Sequence, residues 1–143
     1  MPVKSISKNG GCRRKLSRRE QKDLDVQIGF LEGVVTRDPS FVDALQILGD
    51  DYTSRGRFVA GLKVDERLAE LRPDEPIVYY NLACSYCLTG KLTRAVAALQ
   101  KALALGYRDF NWLSRDPDLK RLRNHPSYEA IQAQVRKLKI KAR

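Results

Sequence analysis

The residues best suited to chemistry are two cysteines and one histidine. Cys84 and Cys87 form a C-x-x-C pattern. A redox pair of this kind has its first cysteine at a helix N-terminus, where the dipole lowers the thiol pKa, but Cys84 falls about two turns into a predicted helix. A zinc site requires a tetrahedral ligand set, and Cys12 and His125 are the only further cysteine and histidine in the chain. We therefore expect the pair to pack in the core, with no metal and no cofactor.

Catalysis by paired side chains is not indicated by the sequence. The acidic doublets Asp50-Asp51 and Asp65-Glu66 lie on predicted helices, where adjacent side chains point in different directions and do not form a dyad. His125 stands at a break between helices, and no nucleophile or carboxylate can be placed beside it, so a turn or cap role is expected. Glycine-rich phosphate loops and nucleophile elbows are absent from the sequence. We expect a non-enzymatic protein without catalytic residues.

Composition narrows the class of protein further. The chain has 143 residues, of which 43% are hydrophobic, and a formal net charge of +10. This length suits one domain with its own core. No apolar run approaches the roughly 20 residues that span a bilayer, and the first residues lack a signal-peptide core. Three cysteines are too few for a disulfide framework, so we expect a cytoplasmic protein with reduced thiols.

The positive charge is concentrated at the two ends of the chain. Residues 1–22 hold eight basic residues and one acid, residues 132–143 hold five basic residues and no acid, and the stretch between them is slightly acidic. Such ends can bind nucleic acid or another anionic partner. Neither end interleaves aromatic residues for stacking on bases, so solvated tails are the simpler interpretation. The possible anionic-partner contacts are Arg13, Arg14, Lys15, Arg18 and Arg19.

Helices are predicted to position the C-x-x-C pair, the acidic doublets and the basic residues that follow Ser17. A basic arm precedes Ser17, which forms a capping box with Glu20 and begins the first helix. Short connections then force later helices into antiparallel hairpins. No segment alternates as a strand does, so the fold is predicted to be all-α. The predicted organisation is a basic arm at 1–16 and one domain at 17–140, which comprises a half-repeat helix at 17–38, repeats at 42–75 and 76–107, and a cap at 108–140, followed by a basic tail at 141–143.

A period of 34 residues relates the two hairpins. Leu48 maps to Leu82, Tyr52 to Tyr86 and Gly56 to Gly90. A sustained period in this range indicates a solenoid of helix pairs.

The two units resemble tetratricopeptide repeats, whose pattern is W-x2-L-G-x2-Y, then A-x3-F, then P. The first unit reads Leu45-x2-Leu48-Gly49-x2-Tyr52, then Gly61-x3-Asp65, then Pro73. The second reads Tyr79-x2-Leu82-Ala83-x2-Tyr86, then Ala95-x3-Leu99. Asp65 departs from the pattern, because an aromatic residue usually stands there; Leu62 and Leu68 are expected to fill that space.

The resemblance implies an α-α superhelix of antiparallel helical hairpins with terminal capping helices. The stretch from Tyr107 to Pro126 is similar to the closing portion of short bacterial proteins of this type. Arrays of this family usually present a concave groove to a protein or peptide. The groove residues carried over by alignment are Asp43, Gln46, Asp50, Thr53 and Ser54 from the first unit, and Ile77, Tyr80, Cys84, Cys87 and Leu88 from the second.

One half of this groove is acidic and polar and the other half is apolar, so a ligand with a basic residue beside an apolar anchor would suit it. Three alternatives stay open. The groove binds nothing specific; the basic ends bind nucleic acid or a ribosome while the repeats act as a spacer; or the basic arm folds over the acidic half of the groove. The sequence leaves the oligomeric state open.

Overall fold

The structure is a computed structural model that describes residues 15–142. Within that range it contains eight α-helices and no strand. The first five helices are α1 (Arg18–Arg37), α2 (Val42–Ser54), α3 (Phe58–Leu71), α4 (Pro76–Leu88) and α5 (Leu92–Leu105). The remainder comprises α6 (Phe110–Leu113), α7 (Lys120–Arg123) and α8 (Glu129–Lys141), with 3-10 turns at Pro117–Leu119 and Pro126–Tyr128. We call residues 107–142 the C-terminal segment. Cys12, Arg13, Arg14, most of the predicted arm and the end of the basic tail lie outside the described residues.

The first five helices pack consecutively, each against the next, as an all-α superhelix of the tetratricopeptide type. The predicted capping box begins α1: the Ser17 Oγ accepts from the Glu20 N–H, and Glu20 Oε1 accepts from the Ser17 N–H, both at 3.1 Å. Of the helices in the described range, none is both long and apolar enough to cross a membrane.

Two glycines end the first helix of each hairpin in the same way. Gly56 and Gly90 have φ values of 84° and 80°, in the left-handed region that favours glycine. One residue later, the backbone N–H of Arg57 donates to the Tyr52 carbonyl, and that of Lys91 donates to the Tyr86 carbonyl, each at 2.8 Å. These bonds satisfy helix-end carbonyls and turn the chain sharply into α3 and α5. The 34-residue period therefore extends to backbone geometry.

A second repeated contact joins each hairpin to the helix before it. The Tyr52 hydroxyl donates to Glu32 of α1, and the Tyr86 hydroxyl donates to Glu66 of α3 at 3.1 Å. Each pair is 20 residues apart, and the pairs are related by the period of 34. The helix α1 therefore contacts α2 in the same way as α3 contacts α4.

The core contains two apolar clusters, one around α1 to α3 and one shared by α4, α5 and the C-terminal segment. Leu68 belongs to the first cluster and Leu62 to the second. Between them Asp65 is only 1% exposed and accepts a hydrogen bond from the Ser85 hydroxyl of α4. A buried polar contact between α3 and α4 thus stands at the usual aromatic position.

Candidate partner-binding face

The groove residues of the first unit are separated by three, four, three and one residues along α2. At 3.6 residues per turn, these separations place them on one face of the helix. Asp43 and Ser54, at the two ends of this face, are exposed, and Gln46 is half-buried. Asp50 and Thr53 are only 4% and 5% exposed. The accessible part of the α2 face therefore consists of its two ends and Gln46.

The equivalent face of α4 is covered by the chain itself. Tyr80, Cys84 and Cys87 are each at most 1% exposed, whereas Ile77 and Leu88 remain half-buried. The C-terminal segment folds back and packs its 3-10 turn at 117–119 and α7 against α4. The sequence predicted an open groove at this unit; in the structure its three central residues are interior residues.

Tyr80 makes the main contacts between α4 and the C-terminal segment. Its ring stacks on Tyr107 with centroids 4.2 Å apart and planes 6° from parallel. Its hydroxyl donates to Asp116 Oδ2 at 2.6 Å, and the Cys84 Sγ lies 3.7 Å from the same oxygen. The other carboxylate oxygen of Asp116 accepts from the Asp118 N–H at 2.9 Å, which caps the 3-10 turn. One buried carboxylate thus both begins this turn and fixes it against α4.

Burial favours the neutral forms of Tyr80, Tyr107 and Cys87. Desolvation raises the pKa of Tyr80 well above its ordinary value, and the neighbouring Cys84 and Asp116 raise it further. Desolvation likewise raises the pKa of Tyr107 and of the Cys87 thiol. A protonated phenol is the form that donates to Asp116, whereas a protonated thiol is a poor nucleophile. These side chains therefore act as packing groups in the core.

The other residues considered for chemistry have structural contacts. The ring of His125 caps the turn at 126–128, because its Nδ1 accepts from the Ser127 N–H at 3.2 Å, so the predicted cap role is confirmed. Asp51 accepts from Gln27 Nε2 of α1 at 2.6 Å. Within residues 15–142, no group of three or more histidine, cysteine, aspartate or glutamate side chains could hold a metal ion.

Exposed basic side chains occupy both ends of the described chain. Lys15, Arg18 and Arg19 are exposed where α1 begins. Arg136, Lys137, Lys139 and Lys141 are exposed along α8. The structure thus retains two separate cationic regions.

Sequence reasoning missed the roles of Asp116 and Tyr107. Asp116 caps the 3-10 turn at 117–119. Its second role depends on a contact with Tyr80, 36 residues away in the chain. The only available signal was a Tyr at the end of the second repeat and an Asp beyond it, which is too weak to place either residue.

No family model matches the chain. A chloroplastic protein from Arabidopsis thaliana is 28% identical over 89 residues, which cover 60% of this chain and 27% of the relative. PEX5-related protein from Homo sapiens is 30% identical over 113 residues, which cover 79% of this chain and 16% of the relative. The peroxisomal targeting signal receptor from Candida albicans is 33% identical over 76 residues, which cover 53% of this chain and 13% of the relative.

The chain thus spans 27% or less of the length of these relatives. They contain tetratricopeptide repeats, so the similarity supports a tetratricopeptide-like family for this chain.

Proposed function

We propose that this protein is a non-enzymatic adaptor that binds a peptide or a partner helix along the α2 face. The observation that carries the proposal is the coverage of the centre of α4 by the C-terminal segment, which leaves Asp43 and Ser54 of α2 as the two exposed residues among the predicted groove positions. The repeat-containing relatives support an interaction role in general terms.

The accessible groove residues suggest the chemistry of the partner. Asp43 and Ile77 hold equivalent positions in successive units, so they lie at the same end of the parallel helices α2 and α4. Ser54 and Leu88 are equivalent at the other end. A carboxylate and a half-buried isoleucine at the same end of these two helices suit a segment that carries a basic residue next to an apolar one.

We further propose that the C-terminal segment is the cap of the solenoid. A solenoid must cover its terminal apolar face, and Leu119, Leu122 and Ile131 are completely buried in the second core cluster. The likeness of the stretch after Tyr107 to the closing portion of short bacterial repeat proteins supports the same assignment.

The test is a pull-down from nuclease-treated native lysate, in which the parent protein and two matched double variants serve as the bait. Asp43→Lys with Ser54→Lys adds positive charge to the α2 face, whereas Asp74→Lys with Thr93→Lys makes the same charge change at exposed positions outside it. We expect proteins retained by the parent to be lost with the first variant and kept with the second. Retention of the same proteins by both variants would reject the face.

Nucleic-acid or ribosome binding through the basic ends is the second candidate. The observation in its favour is the exposure of the basic side chains at the start of α1 and along α8. Phosphate contacts release counterions, so affinity for a single-stranded or duplex oligonucleotide would fall steeply with salt. A flat salt response would reject this candidate.

A further inference from the structure

A cavity of about 320 Å³ opens between α6 and α8, and none of its lining residues belongs to α2 or α4. Its floor is apolar. Leu113 and Tyr128 are 2% and 8% exposed, and Phe110 and Val135 are half-buried beside them. The volume is at the lower end of the range for ligand pockets, about 300–1,000 Å³, which suits one large side chain.

The rim of this cavity is cationic. Arg123, Arg136 and Lys139 line it, and the described lining contains no acidic residue. The Arg123 Nη1 donates to the Leu113 carbonyl at 3.2 Å, which holds the guanidinium at the cavity edge. The Lys139 Nζ lies 5.8 Å from the centre of the Phe110 ring, within cation–π range. Two of the three cations are therefore held beside the apolar floor by contacts of their own.

We propose that this cavity binds an acidic peptide segment of a partner protein. One aromatic or aliphatic side chain of the segment enters the cavity, and flanking carboxylates contact the three cations. Three residues on one side of α8 line the cavity: Val135 contributes to its apolar floor, and Arg136 and Lys139 contribute to its cationic rim. This surface goes beyond the proposed function, since it is separate from the α2 face and opposite to it in charge.

The shape of the floor favours a peptide over a nucleic acid. Single-stranded nucleic acids stack their bases on accessible aromatic faces. Tyr128 is buried, and Phe110 already carries the Lys139 ammonium over its ring. A recessed apolar floor inside a cationic rim instead matches an apolar anchor flanked by carboxylates.

The experiment measures fluorescence polarisation of a labelled Glu-Asp-Phe-Asp-Glu peptide with the full-length protein. We expect saturable binding that weakens at least about tenfold when glycine replaces the central phenylalanine. Arg136→Glu with Lys139→Glu should also weaken it at least about tenfold. The matched control is Lys137→Glu with Lys141→Glu, which makes the same charge change on α8 outside the cavity and should change affinity less than about twofold.

Three results would overturn the proposal. These are no saturable binding at millimolar peptide, equal weakening by the two charge-reversal pairs, or displacement of the peptide by an oligonucleotide that binds more tightly. Circular dichroism and thermal unfolding establish that each variant is folded. If the reversed pair does not fold, Arg136→Gln with Lys139→Gln supplies the same comparison, with Lys137→Gln and Lys141→Gln as its control.

Discussion

The Tyr80 hydroxyl donates a 2.6 Å hydrogen bond to Asp116, and both residues are at most 1% exposed. This contact joins the first helix of the second unit, which ends at Leu88, to the residue that caps the 3-10 turn at 117–119. It explains why half of the predicted groove is closed. It also makes the C-terminal segment part of the core.

Tyr80→Phe should lower the free energy of unfolding by about 1–2 kcal/mol, because it removes a donor from a buried carboxylate. Tyr79→Phe is the matched control, because Tyr79 is the adjacent residue and its ring is only half-buried. This variant should lower the free energy of unfolding by less than about 0.5 kcal/mol. Urea unfolding followed by circular dichroism measures both. Equal costs for the two variants would contradict the role given to the hydrogen bond.

The two buried thiols should be protected from alkylation in the native protein. Cys84 and Cys87 are 0% and 1% exposed, and burial raises the pKa of the Cys87 thiol. We expect each to react at least about a hundredfold more slowly than in denaturant, because reaction requires local opening. Mass spectrometry of the modified peptides measures the rates. Native rates close to the denatured rates would show that the C-terminal segment does not cover α4.

Stability should decline in alkaline solution as the tyrosines ionise. Burial, with the hydrogen bond to Glu32, raises the pKa of Tyr52 to about 12, against about 10 in an unfolded chain. Between these values the unfolded chain has lost a proton that the folded protein keeps. The contribution to stability is therefore complete below about pH 10 and is lost as the pH rises through about 12.

Urea unfolding across this range, together with tyrosinate absorbance, measures the alkaline effect. Tyr52→Phe should reduce the decline. A free energy of unfolding that stays constant while tyrosinate appears in the folded protein would contradict the assigned burial.

Two glycine substitutions should have effects of opposite sign. Gly56→Ala should destabilise the protein by about 1–2 kcal/mol, because an alanine is strained at φ 84°. Gly33→Ala should stabilise it by about 0.5–1 kcal/mol, because Gly33 is exposed within α1 and no described atom lies within 4 Å of an added Cβ. Thermal unfolding of both variants is the measurement. A stabilising Gly56→Ala would contradict the left-handed turn after α2.

Local chemistry made the repeat architecture predictable. Tyr52 and Tyr86, with Gly56 and Gly90, carry the 34-residue period, and the structure reproduces it in their backbone and hydroxyl contacts. These contacts are made within one hairpin or between neighbouring helices. The residues that make them therefore recur at fixed spacings in the sequence, where the repeat pattern shows them.

The closure of α4 could not be predicted in the same way. Aligning Tyr80 with a groove position assumes that nothing covers the first helix of the second unit. The contact that buries Tyr80 is with Asp116, 36 residues away in the chain, and the repeat pattern does not contain it. The cationic cavity was missed for a similar reason. Arg136 and Lys139 were grouped with a solvated basic end, and their relation to Phe110 depends on how α8 packs beside α6.

Site-specific photo-crosslinking determines whether partner proteins bind the α2 face. A photoreactive residue is placed at Gln46 on that face or at exposed Lys63 of α3 as a control, and nuclease-treated native lysate is irradiated. We expect distinct protein adducts from Gln46 that the control lacks and that the Asp43→Lys variant reduces. Identical adducts from both positions, or none from Gln46, would show that partner proteins do not bind the α2 face.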